Sequence, residues 1–443
     1  MVKPESDNGN NTNNLNADVI EADVTSPAAS LVKRGFQPRG VFASLAHKNF
    51  VFFLSGAVLS NIGTWIQMVA LGWLVLEMTK SAFYVGLVNF AGSVPVTVLV
   101  LFAGVAADRL DRKKLIIGTQ IVMLVLALIL AYLTQVNAVN IPIIIVLNLG
   151  FGLMTAIMFP TWQAYLSDIV PRKDLMNAIA LNSAQFHMAR LVGPALAGLI
   201  LAAYGAAANF YVNAVSFLFV ILALAAVKTA PREKAPEFRV MAHLKEGFAY
   251  VNDKPVLKVL LISTGLITLF GMPYATLMPV LAKNVLHLGA SGFGFMMAFN
   301  GMGALVGALL VGGMANTVKR ETLIRAGAIA FGAGLVALGF VHTVWLAAPV
   351  LVVCGGAFLV TSSAINTSLQ ALTPGRLRGR IMSMYVLMFM GIMPFSGLIF
   401  GAVAEFTGVD IAIAIGGAIT VITGLVLILR RSLIDQSEST LAA

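Results

Sequence analysis

The chain has 443 residues, of which 59% are hydrophobic and only 11% are charged, and its formal net charge is +10. A soluble protein of this length needs far more charge on its surface, so the composition excludes that class and favours a membrane protein. Cys354 is the single cysteine and the five histidines are scattered, so we expect no disulfide framework within one chain, no metal site and no cofactor.

The N-terminal segment is polar and rich in asparagine, with the run NGNNTNNLN. It lacks the apolar centre of a signal peptide, so we expect residues 1–44 to form a disordered cytoplasmic tail rather than a cleaved leader.

About twelve apolar segments follow, each close to the roughly 20 residues that a helix needs to cross a bilayer. They begin near Phe50, Phe83, Leu115, Ile141, Met176, Asn209, Val256, Gly292, Leu323, Trp345, Ile381 and Ile411. The runs are too long for membrane strands and do not alternate with period two. The sequence therefore predicts an all-α membrane protein with twelve transmembrane helices.

Positive charge is concentrated in alternate loops. With the N-terminus in the cytoplasm, the inward loops hold Arg109, Arg112, Lys113, Lys114, Arg172, Lys173, Lys319, Arg320, Arg376, Arg378 and Arg380. The outward loops hold little beyond Lys80 and Lys283. This asymmetry is the positive-inside signal and predicts that both termini are cytoplasmic. The basic balance therefore reflects topology, and we expect no nucleic-acid partner.

A charged, proline-containing stretch (KTAPREKAPEF) divides the segments into two sets of six. We predict a six-helix bundle over 45–228, a cytoplasmic linker with an amphipathic helix over 229–254, a second bundle over 255–431 and a cytoplasmic tail over 432–443. Faint repeats support two related halves: GVAADRLDR is echoed by GGMANTVKR, in which Asn316 replaces Asp108. Parallel repeats of six spans are typical of transporters that rock two bundles about a central site.

Arg190 lies near mid-membrane in the fifth segment, where an arginine costs roughly 2.5–3.5 kcal/mol on insertion scales. It should therefore face a cavity or a partner. Two interpretations remain open: a cation that attracts anions or gates the transport path, or a structural arginine bonded to backbone carbonyls near Gly193-Pro194.

The loop residues Gly104, Asp108, Arg109, Arg112 and Lys113 carry a resemblance to the major facilitator superfamily, although Asp111 replaces the second glycine of that loop pattern. Exporters of that superfamily carry a second signature in segment 5, a Gly-Pro pair followed by two small residues. The run Gly193, Pro194, Ala197 and Gly198 resembles this signature. The block from LSDIVPRKDL to VGPALAG, with LRGRIMSMY, resembles the branch of enterobactin exporters and macrolide efflux proteins. The resemblance covers about residues 45–430.

The resemblance implies two pseudo-symmetric six-helix bundles and a conformational latch on the cytoplasmic side. In that latch Asp108 faces the start of segment 11, and Arg112 pairs with Asp168. Its expected members are Gly104, Asp108, Arg109, Arg112, Asp168, Arg378 and Arg380. Segments 1, 4, 7 and 10 usually line the cavity of this fold, which suggests as substrate contacts Gln67, Trp162, Gln163, Tyr274 and Asn366.

The coupling ion is less well indicated. Asn148 stands where proton-coupled drug exporters of the superfamily often carry an arginine, and no acidic residue lies clearly at mid-membrane. Glu77 and Asp168 are the available carboxylates for coupling, with the proton as the expected ion.

Together these features predict a monomeric secondary transporter in the bilayer of the bacterial inner membrane. It is expected to work by alternating access and to export a small organic molecule, such as a drug-like compound or a siderophore. The alternatives are a lipid or lysophospholipid flippase or a metal exporter on the same fold, or a membrane sensor that does not transport. A channel and an enzyme are disfavoured, since no filter and no nucleophile–base pair is visible.

Overall fold

The computed structural model describes residues 42–227, 248–314 and 317–429, and for residues 100–109 it describes the backbone alone. Most of the predicted N-terminal tail, most of the linker, Asn316 and the C-terminal tail therefore lie outside the described residues. Residues Ala43–Ala46 already form a short 3₁₀ helix, and residues 248–252, at the end of the linker, are helical.

The described chain forms long apolar helices. The first half contains α1 (Lys48–Thr79), α2 (Ala82–Arg109), α3 (Arg112–Gln135), α4 (Ile141–Ile169) and the continuous helical stretch Leu175–Ala226. The second half contains α7 (Pro255–Val285), α8 (Ala290–Met314), α9 (Arg320–Phe340), α10 (Val344–Ala371), α11 (Gly375–Thr407) and α12 (Val409–Leu429). These eleven stretches are long and apolar enough to cross a membrane.

The stretch Leu175–Ala226 is two spans in one. Gly205 has φ +78° and ψ 178°, a conformation that is essentially restricted to glycine, and it breaks the 52-residue stretch. The break separates α5 (175–204) from α6 (206–226). The described part of the chain thus contains twelve spans, as predicted. Because the number is even, the first and last spans begin and finish on the same side of the molecule.

Helix starts follow local capping chemistry. Asp111 precedes α3, and its carboxylate accepts a hydrogen bond from the Lys114 backbone N–H at 3.1 Å. Asn140 caps α4 in the same way through the Ile143 N–H. Because Asp111 serves as an N-cap, its presence in place of a glycine has a structural reason: it ends the tight turn between α2 and α3.

Two spans of the second half are not uniform α-helices. Helix α7 contains π-helical turns at Ile267–Gly271 and Leu281–Val285, and α11 contains one at Leu387–Gly391. Pro273 and Pro394 follow closely after two of these turns. A proline lacks an N–H and clashes with the preceding turn, so the neighbouring hydrogen bonds shift to the wider spacing.

Helices pack closely where glycines remove the side-chain volume. Within the second bundle, Gly303 and Gly355 bring the backbones of α8 and α10 together, and Gly332 and Gly417 do so for α9 and α12. Such small-residue contacts stabilise membrane helices because lipid offers little hydrophobic drive between them. Between the bundles, the main helix pairs are α2 with α11 and α5 with α8.

We name the two ends of the molecule by a residue at each. The Asp168 end holds the start of α1, the end of α4 and the α2–α3 and α10–α11 loops, together with most of the positive charge. The Glu405 end holds the α1–α2, α7–α8 and α11–α12 connections.

Candidate inter-bundle junction and transport path

The predicted contact between Arg112 and Asp168 is present. Arg112 Nη1 lies 3.1 Å from Asp168 Oδ1 and also donates to the Ala164 carbonyl at 3.0 Å. The Arg112 side chain is 7% exposed and that of Asp168 is 22% exposed. The pair joins α3 to α4, two helices of the same bundle. By itself it therefore fixes the α2–α3 loop to the first bundle and does not bridge the two bundles.

The remaining predicted latch residues are only partly visible. Gly104, Asp108 and Arg109 lie on the helical backbone of α2, but their side chains lie outside the described residues. Across the molecule, Arg378 is exposed and Arg380 is half-buried on the first turns of α11. The contact of Asp108 with the start of α11 stays a prediction.

Lys113 has a role that the sequence did not indicate. Its ammonium donates to the carbonyl oxygens of Val227 at 2.6 Å and Ala225 at 3.3 Å, at the C-terminal end of α6. A cation at this position satisfies carbonyls that lack helical partners and opposes the negative end of the helix dipole. The α2–α3 loop is thus bound to both α4 and α6.

The middle of the molecule contains a polar link between the bundles. Arg190 Nη2 on α5 donates to Asn300 Oδ1 on α8 at 2.9 Å, and Asn300 Nδ2 donates to the Tyr274 hydroxyl on α7 at 2.6 Å. The Arg190 guanidinium also lies 5.9 Å from the centre of the Trp65 ring on α1. Asn300 and Tyr274 are buried, whereas Arg190 is half-buried. Arg190 therefore contacts a side-chain amide of the opposite bundle and not backbone carbonyls, the partners in one of the two interpretations left open by the sequence.

The predicted exporter motif lies at the same junction. A Cβ at Gly193 would approach the Trp65 Cβ to 2.5 Å, and a Cβ at Gly198 would approach the Gly294 Cα to 2.9 Å. Pro194 contributes its carbonyl oxygen to the contact with Gly294. These small residues let α5 approach α1 on one side and α8 on the other.

The five predicted substrate contacts have differing surroundings. Gln67 is buried and accepts a hydrogen bond from Asn213 on α6 at 2.7 Å, inside the first bundle. Trp162 packs on Phe53 with ring centres 4.3 Å apart, and Gln163 is exposed. Asn366 accepts from Gln370, one turn further along α10, at 2.6 Å.

Tyr274, the fifth, reaches Arg190 through Asn300. The structure thus connects one of the five to the inter-bundle link, and their role as substrate contacts stays a prediction.

A small cleft within the second bundle was not predicted. It lies between α7, α10 and α11 beside two of the π-helical turns. Its lining is made of hydroxyl and aromatic side chains with two isoleucines: Thr264, Ile267, Thr268, Phe358, Thr361, Ser362, Ile365 and Phe389. The segments LISTGLIT and VTSS carry the hydroxyl groups of this lining, but the sequence alone does not show that the two face each other.

Polar contacts also join the bundles at the Glu405 end. Ser81 Oγ and the Phe83 N–H at the start of α2 donate to Glu405 Oε2 on α11, at 2.8 and 3.3 Å. Lys283 on α7 lies 3.5 Å from Glu77 on α1 and 5.2 Å from the centre of the Trp73 ring. The proposed coupling carboxylates Glu77 and Asp168 are thus both paired with a cation in this state.

The backbones of the bundles also touch at this end. Gly86 on α2 lies against the Gly397 carbonyl on α11, and a Cβ at Gly401 would approach the Ala82 carbonyl to 2.9 Å. The Trp73 ring stacks on Phe293 with centres 5.7 Å apart. The molecule is therefore closed from its middle to the Glu405 end.

Among the described residues, no group of three histidine, cysteine or acidic side chains is arranged to hold a metal ion.

Residues 39–442 match the family described as transmembrane secretion effector. This match spans nearly the whole chain. The chain belongs to that family, within the major facilitator superfamily. It is a secondary active transporter and a multi-pass membrane protein of the bacterial inner membrane, and the predicted fold class is confirmed.

Relatives of this transmembrane secretion effector support the assignment. This chain is 26% identical over 375 residues to the staphyloferrin A transporter of Staphylococcus aureus (strain NCTC 8325 / PS 47). The match covers 84% of this chain and 93% of that protein. The chain is 26% identical to the multidrug efflux pump Tap of Mycolicibacterium fortuitum over 81% of this chain and 90% of Tap. The enterobactin exporter EntS of Citrobacter koseri (strain ATCC BAA-895 / CDC 4225-83 / SGSC4696) is 28% identical over 72% of this chain and 78% of EntS.

Solved structures show the same fold at low identity. A bacterial homolog of the human lysosomal transporter Spinster, in an inward-facing and unoccupied conformation, superposes with a TM-score of 0.65 at 16% identity. The match covers 92% of this chain and 98% of that one. The D-xylose-proton symporter gives a TM-score of 0.68 at 13% identity, covering 86% and 96% of the two chains.

Proposed function

We propose that this transporter exports a small organic molecule, a siderophore or a drug-like compound, from the cytoplasm, driven by the proton gradient. The observation that carries the proposal is the closed junction between the bundles, which runs from Arg190–Asn300 to Ser81–Glu405. The names of the three relatives support this substrate range. They do not favour a lipid flippase or a transport-inactive sensor.

We further propose that the Asp168 end faces the cytoplasm, with both termini there, because it carries most of the lysine and arginine residues. The structure then represents a state closed toward the outside. Domain boundaries at residues 45–228 and 255–431, a cytoplasmic linker at 229–254 and a monomeric state complete the proposal.

Transport in inverted membrane vesicles tests the function. Vesicles that contain the protein should accumulate at least one compound from a panel of siderophores and antimicrobial drugs when a proton gradient is imposed. Collapse of the gradient should abolish accumulation. Vesicles without the protein are the control, and failure to accumulate any compound of the panel would contradict the proposal.

Asp108→Asn is expected to cut transport about tenfold while membrane expression stays near normal. The carboxylate at the end of α2 is proposed to stabilise one conformational state by facing the positive start of α11, and a bias of about 1.4 kcal/mol between states changes their ratio tenfold. Efflux rate and quantitative immunoblotting measure the two quantities. Lys114→Gln, which also removes one charge from the same loop, serves as the control, and equal efflux from both variants would remove Asp108 from the mechanism.

A further inference from the structure

Arg190 differs from three other cations of the membrane helices, namely Arg112, Lys283 and Arg325. It lies midway along residues 175–204 of α5, deep in the bilayer. Arg112, Lys283 and Arg325 each have a carboxylate within 4 Å. Arg190 has no such partner among the described side chains, and its one hydrogen-bond acceptor is the neutral amide of Asn300. No described carboxylate therefore neutralises the positive charge of Arg190.

The acceptor is held in a fixed orientation. Asn300 donates through Nδ2 to the buried Tyr274 hydroxyl, so Oδ1 is turned toward Arg190. An amide oxygen carries only a partial negative charge, whereas hydrogen bonds from a guanidinium to an ionised oxygen are roughly twice as strong as neutral ones. The position of Asn300 Oδ1 is thus one where an anionic oxygen would bind Arg190 more tightly than the protein's own group.

Arg190 and Trp65, whose ring the guanidinium approaches, are both half-buried, so neither residue is fully enclosed by the packed core. A cation in a low-dielectric cleft attracts counter-ions from the aqueous phase. An embedded arginine is costly, and a bound anion would offset that cost.

We propose that Arg190 is the anion-binding group of the transport path and that the transported molecule is an organic anion, which presents a carboxylate or a comparable oxyanion to Arg190. The proposal rests on the export function proposed above. The anion takes the place of Asn300 Oδ1. Because the Arg190–Asn300 bond links α5 to α8, binding releases one link between the bundles and so favours their separation.

Iodide quenching of Trp65 fluorescence tests the anion site without any substrate. The purified full chain would keep Trp65 alone, with Trp73, Trp162 and Trp345 replaced by phenylalanine. Arg190→Gln should lower the iodide quenching constant about threefold or more, because the cation no longer concentrates anions. Arg190→Lys should retain most of it. Quenching by neutral acrylamide should be equal in all three proteins, and an unchanged ratio of iodide to acrylamide quenching in Arg190→Gln would overturn the proposal.

Asn300→Asp separates anion binding from a merely structural link. The new carboxylate would neutralise Arg190 and strengthen the bond between α5 and α8. An anion site predicts that this variant loses iodide quenching as Arg190→Gln does, while its thermal stability in detergent is equal to or above that of the parent. A merely structural link predicts full transport in this variant, because the bond between α5 and α8 is kept, and full transport would overturn the proposal.

Transport of charged dyes distinguishes the substrate class from the export function. In inverted vesicles we expect carboxyfluorescein to accumulate and to lose about tenfold in rate on Arg190→Gln, as expected for about 1.4 kcal/mol of lost binding. If cationic ethidium accumulates and carboxyfluorescein does not, export stands and the anion proposal falls. If neither dye nor any compound of the wider panel moves, the proposed function itself falls, and the iodide result alone decides whether Arg190 binds anions.

Discussion

Gly294→Val is expected to reduce transport at least about tenfold. A Cβ at Gly294 would lie 2.5 Å from the Pro194 carbonyl oxygen and 2.7 Å from the Gly198 Cα. Both are backbone atoms of α5, so no rotamer change relieves the clash, and α5 and α8 must separate. Overpacking of this kind costs about 1–3 kcal/mol, which is enough to depopulate the state closed at the Glu405 end. A transporter that must pass through both states then stalls in one.

Gly312→Val is the matched control for this effect. Gly312 lies on the same helix, α8, and a Cβ there would meet nothing within 4 Å. Both variants carry the same change in side-chain volume and helix propensity, so the difference between them isolates the contact with α5. Efflux rates normalised to the amount of protein in the membrane measure it. Equal rates for the two variants would show that closure at Gly294 is not part of the transport cycle.

Asp168→Ala is expected to lower both stability and transport. It removes a carboxylate that Arg112 contacts, and the Arg112 side chain is only 7% exposed and therefore largely desolvated. Because Asp168 is 22% exposed, we expect a cost of about 2 kcal/mol, between the values for exposed and fully buried pairs. Thermal unfolding in detergent should show the loss, and vesicle transport should fall with it because the α2–α3 loop is no longer bound to α4.

A double-mutant cycle with Arg112→Met distinguishes the pair from its separate members. Replacing both residues also removes the largely buried cation, so the double variant should be more stable than Asp168→Ala alone. Strict additivity of the two changes would show that Arg112 and Asp168 do not interact in the folded protein, contrary to the 3.1 Å contact in the structure.

The membrane fold could be predicted almost completely from the sequence. Its signals are local: apolar runs of spanning length, charge at alternate loops and a charged linker between two sets of six. The contact of Arg112 with Asp168 was predicted from the resemblance to the major facilitator superfamily, and the structure contains it. The capping role of Asp111 could also have been predicted. Asp111 precedes an apolar run and lies three residues before Lys114, whose backbone N–H donates to its carboxylate.

The partners at the junction could not be predicted in the same way. Arg190 and Asn300 are 110 residues apart, and Asn213 and Gln67 are 146 apart. The spans contain many amides, and each could satisfy such a contact if the helices were arranged differently. Which amide meets Arg190 depends on how closely α5 and α8 approach, and that distance is set by Gly198, Gly294 and Gly301 together. Periodicity within one helix carries no information on that approach.

Alternating access requires opposite movements at the two ends of the molecule, and pulsed electron paramagnetic resonance distances measure them. In a Cys354→Ala background, one spin-label pair at Tyr204 and Trp345 would report the Glu405 end, and another at Lys173 and Arg376 the Asp168 end; all four positions are exposed. In liposomes, changing from the resting condition to a proton gradient with transported compound should lengthen the first distance and shorten the second. Two distances that stay constant, or that change in the same direction, would contradict the alternating-access account.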